Sequence, residues 1–300
     1  MDDCIIIGGG PAGLTAAIYL SRYHLKIRLF DSGSSRAALI PCTHNHAGYP
    51  EGISGLDLLA AMRAQAEKYG TVREPAKVTG LRTVEDGFCV RIGDREERAR
   101  AVLLATGVVN HRPPMPDALH DTALAQGQIR YCPVCDGYEV TDKRVAIYGT
   151  GMHGAREALF LRSFTKDVTL IAPDRHDLPS DQVEQLEAAG VTRIEGPVTD
   201  WAIEGDQFAL TVPAGRLRFD SLYPALGSHI RSELAVEAGA RADDSGCLEV
   251  DDHQRTSIPG LFAAGDVAKG LDQISHAMGE AGVAATTIRN MLNADTPLWR

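Results

Sequence analysis

The sequence has no excess of basic residues: 30 Lys and Arg against 40 Asp and Glu leave a net charge of −10. That balance gives no electrostatic footprint for nucleic acid or for an anionic membrane surface, which leaves small molecules or proteins as partners. Low-complexity tracts are missing, and 44% hydrophobic with 23% charged residues exclude the disordered and fibrous classes. A long apolar span is missing too. The uncharged run 4–21 is interrupted by Gly8, Gly9, Gly10, Pro11 and Gly13, and Asp2 and Asp3 stand where a signal peptide carries Lys or Arg. A soluble, cytoplasmic protein is the expectation. The cysteine pattern of a small secreted scaffold is also lacking: of six cysteines only Cys132 and Cys135 form a close pair.

What is present is a repeated strand–turn–helix syllable. The apolar run Cys4 to Ile7 leads into a glycine cluster, a helix is expected from Pro11 to Arg22, and a strand from Ile27 to Phe30 ends at Asp31. The syllable returns 141 positions later, from Gly8 to Gly149: Val145 to Tyr148, a helix from about Gly154 to Phe164, and a strand from Val168 to Ala172 ending near Asp174. Parallel pairing needs such crossover helices, so two nucleotide-type domains are expected. The Pro-rich stretch Arg112 to Pro116 marks a crossing between them, and Pro224 to Ser228 marks a second. Further strands are expected at Val72 to Val78, Phe88 to Ile92, Ala101 to Ala105 and Leu261 to Ala264. Leu56, Leu59, Met62, Ala66 and Tyr69 describe an amphipathic packing helix with Arg63 off its face, and a long helix is expected from Gln273 to Leu292.

Gly8, Gly10 and Gly13 fit GxGxxG, in which the glycines permit a tight turn, close approach to a pyrophosphate and helix–strand packing. Asp31, 23 residues beyond Gly8, can accept hydrogen bonds from an adenosine ribose. Gly149, Gly151 and Gly154 form a second complete motif. Its following strand ends in Asp174, Arg175 and His176 without an arginine cluster, which favours a free 2′-hydroxyl and so NADH over NADPH. Cys132-Pro-Val-Cys135 has the spacing of a redox dithiol, and Asp136 beside it can exchange a proton with a thiolate. A structural zinc site needs four ligands, and no second CxxC is there to complete one. No metal is expected.

The order of these elements, GGGPAG, Ala105-Thr106-Gly107, Tyr131 to Tyr138 (YCPVCDGY), the second GxGxxG and Ala264-Gly265-Asp266-Val267, resembles the low-molecular-weight thioredoxin reductases over the whole chain. The resemblance implies an α/β fold of two Rossmann-like nucleotide-binding domains, the second inserted into the first. Residues 1–112 and 225–300 would bind FAD, and 113–224 would bind the nicotinamide nucleotide and carry the disulfide. It implies that Gly8, Gly10, Gly13, Asp31, Asn45, Gly107, Asp266, Gln273 and Ile274 serve the flavin nucleotide. Gly149, Gly151, Gly154 and Asp174 would serve NADH or NADPH. Cys135 would face the flavin, Cys132 would attack substrate, and Asp136 would act as acid and base. The implied partner is a thioredoxin-like protein or a small disulfide or dithiol, and the implied assembly a homodimer. The family's His-Arg-Arg stretch is replaced by Ala172 to Asp177. The CPxCxGY form also resembles fungal dithiol oxidases of the gliotoxin and holomycin type, which pass electrons to oxygen; ferredoxin is a further donor to consider.

Five histidine and cysteine readings complete the set. His44 and His46, flanking Asn45, and His276 on the last helix are expected to be hydrogen-bonded rather than catalytic, Cys4 buried in a strand, and Cys42 structural. The stripe Ala277, Ala281, Ala284, Ala285, Ile288 and Leu292 is expected to pack, with a possible share in a dimer face.

Overall fold

The computed structural model describes residues 1–298. Its first sheet is built around the strand Asp2–Ile7, which pairs in parallel with Ile27–Phe30 on one side and with Arg95–Leu104 on the other. Val72–Glu74 extends the sheet beyond Ile27–Phe30, and Leu261–Ala263 joins the end of Arg95–Leu104, also in parallel. The hairpin strands Gly80–Val84 and Gly87–Ile92 add an antiparallel flank. Leu261–Ala263 comes from the far end of the chain, so this sheet is assembled from two separate stretches of sequence.

The helix Pro11–Arg22 crosses from the first strand to the second, with Pro at its first turn, where a missing N–H costs nothing. The stripe from Ala277 to Leu292 on the helix Ile274–Asp295 is buried and shares a core with Leu14, Ala17 and Ile18 of that crossover helix. Its small side chains are therefore consumed within the chain, and a dimer face does not lie on that stripe.

A second sheet, in the order Thr192–Glu195, Val168–Ala172, Val145–Gly149, Ser221–Ala225, is parallel throughout. An antiparallel unit of Asp200–Glu204, Gln207–Val212 and Gly215–Phe219 is placed between its last two strands in sequence. The chain leaves the first sheet through Val108–Asn110 and returns through Ser228–Ile230, and these two segments pair antiparallel. Among the described residues no helix is long and apolar enough to cross a membrane.

Several expected elements shift. The second crossover helix spans Gly151–Leu161, starting three residues early, because Thr150 in extended backbone hands directly into the helix and Ser163 and Phe164 turn out of it. The strand expected at Val72 to Val78 stops at Glu74, while the one expected from Ala101 begins at Arg95. The charged run Arg95 to Arg98 is an exposed extension of this strand beyond its parallel partner, paired only antiparallel, where charge hides a strand from a hydrophobic reading. On the helix Gly55–Lys68, Leu56 is 62% exposed and Leu58 takes its place in the core. Arg63 reaches to 3.8 Å from Asp31, so this helix contributes to the site as well as to packing.

Candidate active site

The first glycine turn is closed by contacts that only glycine permits. A Cβ on Gly8 would lie 2.1 Å from the Ala105 carbonyl oxygen, and one on Gly13 would lie 1.8 Å from that of Gly8. Gly8 has a φ of +116°, a left-handed value that strains any L side chain. Gly10 is different: a Cβ there would meet only the Ser35 side chain, so its outer face is open for a ligand. Asp31 is 3% exposed. Its Oδ1 accepts from the Gly33 N–H at 2.9 Å, whereas its Oδ2 is buried without a hydrogen-bond partner, with Arg73 no nearer than 3.6 Å. A buried carboxylate oxygen lacking a donor is the feature a ribose hydroxyl would satisfy.

A cavity of about 970 Å³ begins at this turn and is lined by Gly8, Gly10, Asp31, Asn45, Gly107 and Asp266, among others. It reaches the upper end of the usual ligand-pocket range of about 300–1,000 Å³, enough for a dinucleotide. Gly13 packs behind it. Gly107, at φ +64°, bends the chain where its carbonyl accepts from the Arg231 N–H at 3.0 Å. Asp266 accepts from Arg36 at 3.1 Å, and Arg36 also holds Asp272 at 2.9 Å; burial raises the Asp272 pKa above the ordinary carboxylate value. These residues fit FAD, the group the resemblance implies.

Gln273 is the N-cap of the last helix, and Ile274 follows it into the same cavity. The Gln273 Nε2 donates to Cys135 Sγ at 3.2 Å and to Cys132 Sγ at 3.4 Å. Its Oε1 accepts from Asn45 Nδ2 at 2.9 Å, and Asn45 Oδ1 in turn accepts from Thr43. Cys132 and Cys135 form a disulfide with Cα atoms 5.2 Å apart, at the start of the one-turn helix Pro133–Asp136. One amide thus ties the loop carrying Asn45 to both sulfurs.

Asp136 is turned into its own half of the chain. It accepts from Arg130 at 3.0 Å and from the Tyr223 hydroxyl at 2.9 Å. Burial raises its pKa, against the opposing pull of Arg130 and of the Tyr223 hydrogen bond. Burial and the neighbouring Asp136 charge push the Tyr223 hydroxyl upward as well, so it remains a donor. Tyr131, next to Cys132, bonds the buried His120 at 2.8 Å, and burial lifts its hydroxyl to about 12.

The second glycine motif is not among the residues lining that cavity. Gly149 needs its missing Cβ, which would fall 2.4 Å from the Ala225 carbonyl oxygen, and Gly154 packs on Gly149 and Leu170. Gly151, at φ +63°, has open space around it. Asp174 and Arg175 are exposed beyond the neighbouring strand, and the Arg175 carbonyl accepts from Thr150. His176 is committed elsewhere. Its Nε2 donates to the Ile194 carbonyl at 3.0 Å, and burial lowers its pKa, so it is a poor cation for a 2′-phosphate.

The histidines expected to be bonded are so: His46 to Ser275 at 3.1 Å, His276 to Glu280 at 2.9 Å, and His44 to Glu139 at 3.0 Å. Glu280 also accepts from the Gly265 N–H at 2.7 Å, which orders the turn before Asp266. Cys4 is buried, while Cys42 is exposed rather than structural core. No sequence signal points to Arg36, Arg130 or Tyr223, which reach the site across 230, 6 and 87 positions and belong to no local motif. Glu157, one turn beyond Gly154, was also missed; burial lifts its carboxyl to about 8.

The profile of the pyridine nucleotide-disulphide oxidoreductases matches residues 2–281. A thioredoxin reductase of Mycolicibacterium smegmatis is 33% identical over 282 residues, 88% of each chain. The crystal structure of a thioredoxin reductase from Streptococcus pyogenes superposes with a TM-score of 0.90 at 28% identity, covering 98% of this chain and 99% of that one. The Lactococcus lactis thioredoxin reductase in its FR conformation covers 98% and 100% at 27% identity, yet its TM-score is 0.63. Equal coverage with unequal superposition means that the same elements are arranged differently in the two relatives. Matched from its first strand into its last helix, with the vicinal cysteines between two glycine turns, the chain belongs to the pyridine nucleotide-disulphide oxidoreductases, as a flavin-dependent, thioredoxin reductase-like enzyme.

Proposed function

We propose that this enzyme moves two electrons from NADH or NADPH, through FAD and the Cys132–Cys135 pair, to the disulfide of a thioredoxin-like protein or a small molecule. The observation that carries the reading is the double contact of Gln273, which holds both sulfurs against the cavity that begins at Gly8 and Asp31. Bound there, FAD would supply the two-electron chemistry between a nicotinamide and a disulfide. Gly8, Gly10 and Gly13 would hold its pyrophosphate at a helix N-terminus, Asp31 its adenosine ribose, and Asp266 and Gly107 the chain between the rings. Asn45, Gln273 and Ile274 would border its reactive end.

Reduction opens the pair. The Cys132 thiolate attacks the external disulfide, one thiol leaves, and the Cys135 thiolate attacks Cys132 to release the second. Asp136 would hold the proton these steps exchange, and burial suits it by keeping the carboxyl protonated above its ordinary range. We assign 1–112 and 225–300 to the flavin domain and 113–224 to the nicotinamide domain. The disulfide and Gly149, Gly151 and Gly154 then travel together and take turns at the cavity as that half rotates. The contrast between the two relatives' superpositions supports such a rotation.

Asp174 in place of an arginine cluster, with His176 committed to a carbonyl, supports NADH as at least an equal donor. The free state of the remaining cysteines suits a reducing, cytoplasmic setting, and a homodimer completes the assignment. Anaerobic addition of NADH or NADPH to the yellow protein tests the donor: bleaching of the flavin bands by either supports the reductase. If both leave the flavin oxidised while a dithiol or reduced ferredoxin bleaches it, the dithiol oxidase or ferredoxin-linked alternative replaces it.

A further inference from the structure

Cys42 is the exposed member of the free cysteines; Cys4 and Cys89 are buried and Cys247 is half-buried. Its Sγ lies 3.6 Å from His44 Nε2, and His44 Nδ1 lies 3.0 Å from Glu139 Oε1. Glu139 comes from the other side of the cavity, four positions after Cys135. Its second oxygen is buried with no hydrogen-bond partner, which leaves His44 as the contact of that carboxylate. Two further features hold the loop in shape. Thr43 and Ile53 exchange backbone hydrogen bonds of 2.9 and 3.1 Å, and Gly52, at φ +75°, leaves room that a Cβ would take, 2.5 Å from Cys42 Sγ. Cys42, His44 and Glu139 line the same cavity as Cys132 and Cys135. A nucleophile bonded to a base, with the base oriented by a carboxylate, is the arrangement that activates a thiol.

We propose that Cys42 is a second nucleophilic thiol, with His44 as its base and Glu139 as a positioning residue, that takes low-molecular-weight disulfides by covalent exchange at the cavity wall. The Cys42 proton passes to His44 Nε2, and the thiolate attacks one sulfur of the disulfide. A new S–S bond to Cys42 forms as the old one breaks, so Cys42 is oxidised and the departing half leaves reduced, as a thiolate. Nothing else is consumed. The step needs neither nicotinamide nor turnover, so it stands or falls separately from the reductase assignment.

The probe is 5,5′-dithiobis(2-nitrobenzoate), added to the holoprotein with the Cys132–Cys135 pair oxidised, and the released thiolate is followed by absorbance. One rapid equivalent is expected, with the adduct mapped to Cys42 by mass spectrometry. Cys42→Ser should abolish that phase and Cys247→Ser should leave it. His44→Gln and Glu139→Gln should keep its amplitude and slow it by about 100-fold or more near pH 7, the low end of what a general base contributes. At about pH 10, above an ordinary thiol pKa of about 8.5, the base is no longer needed and the rates should converge with wild type. No rapid phase, an adduct on Cys247, wild-type rates in His44→Gln, or slowing that persists at high pH would each overturn the proposal.

Discussion

The two glycine turns carry the same motif on the same strand–turn–helix frame, yet the first lines the cavity of about 970 Å³ and the second does not. In both, the outer glycines are locked by backbone oxygens or close packing, while the middle one meets only the Ser35 side chain in the first and open space in the second. The difference lies at the end of the neighbouring strand. Asp31 is buried with one carboxylate oxygen lacking a donor, while Asp174 is exposed to solvent. On the proposed function, the first turn would hold its ligand continuously and the second would take one that comes and goes. The motif fixes where a phosphate binds; the acidic residue some 20 positions on decides how firmly the ribose is held.

The largest effect that would break this comparison comes from the disulfide it serves. Cys135→Ser should lower disulfide turnover by about 1,000-fold or more, with FAD retained, because removal of one member of a catalytic unit removes the unit's work. Asp136→Asn should cost about 100-fold in kcat/KM. In the wild type the protonated form is favoured by burial, so any rate limb carried by Asp136 falls as pH rises through its raised pKa, and the variant should lack that limb. Asp31→Ala sharpens the contrast directly. Losing a hydrogen bond to a charged group, worth about 1.5–3 kcal/mol, should weaken FAD binding about 10- to 150-fold, read as the flavin-to-protein absorbance ratio. Asp174→Ala should leave that ratio unchanged and improve NADPH relative to NADH by a few-fold in kcat/KM. Unchanged nucleotide preference would show that Asp174 is not at the ribose.

The smallest effect is on stability. Burial raises the Glu157 carboxyl to about 8, and burial likewise keeps its neighbour His153, 3.2 Å away, from charging. A carboxyl raised on folding binds more protons in the native state than in the unfolded one between its ordinary value and about 8. Stability therefore falls as pH rises through that window. Glu157→Gln should flatten the fall, leaving the variant more stable at pH 8 in denaturant unfolding.

The glycine turns, the vicinal cysteines and the crossover strands were legible because each is local: a few adjacent residues dictate the conformation. Ile27–Phe30 and Val168–Ala172 fall where their apolar runs say. Gly80–Val84 and the first half of Arg95–Leu104 were hidden because exposed antiparallel strands tolerate polar and charged side chains. The site divides in the same way. Asp31 follows from strand periodicity, but the partners of Asp136 and of the disulfide arrive through tertiary folding. Asn45 and Gln273 could be named by resemblance, whereas their mutual hydrogen bond, spanning 228 positions, could not. Arg63, read as lying off the packing face of its helix, has its role set by what that side of the helix meets.

On the proposed function, electrons leave through the Cys132–Cys135 pair. Anaerobic reductive titration of the FAD-bound protein, counting equivalents while the flavin bands are followed, tests it most directly. Wild type should take up two two-electron equivalents per protomer, one for FAD and one for the disulfide, and Cys135→Ser should take up one. Equal uptake by the two proteins would contradict it.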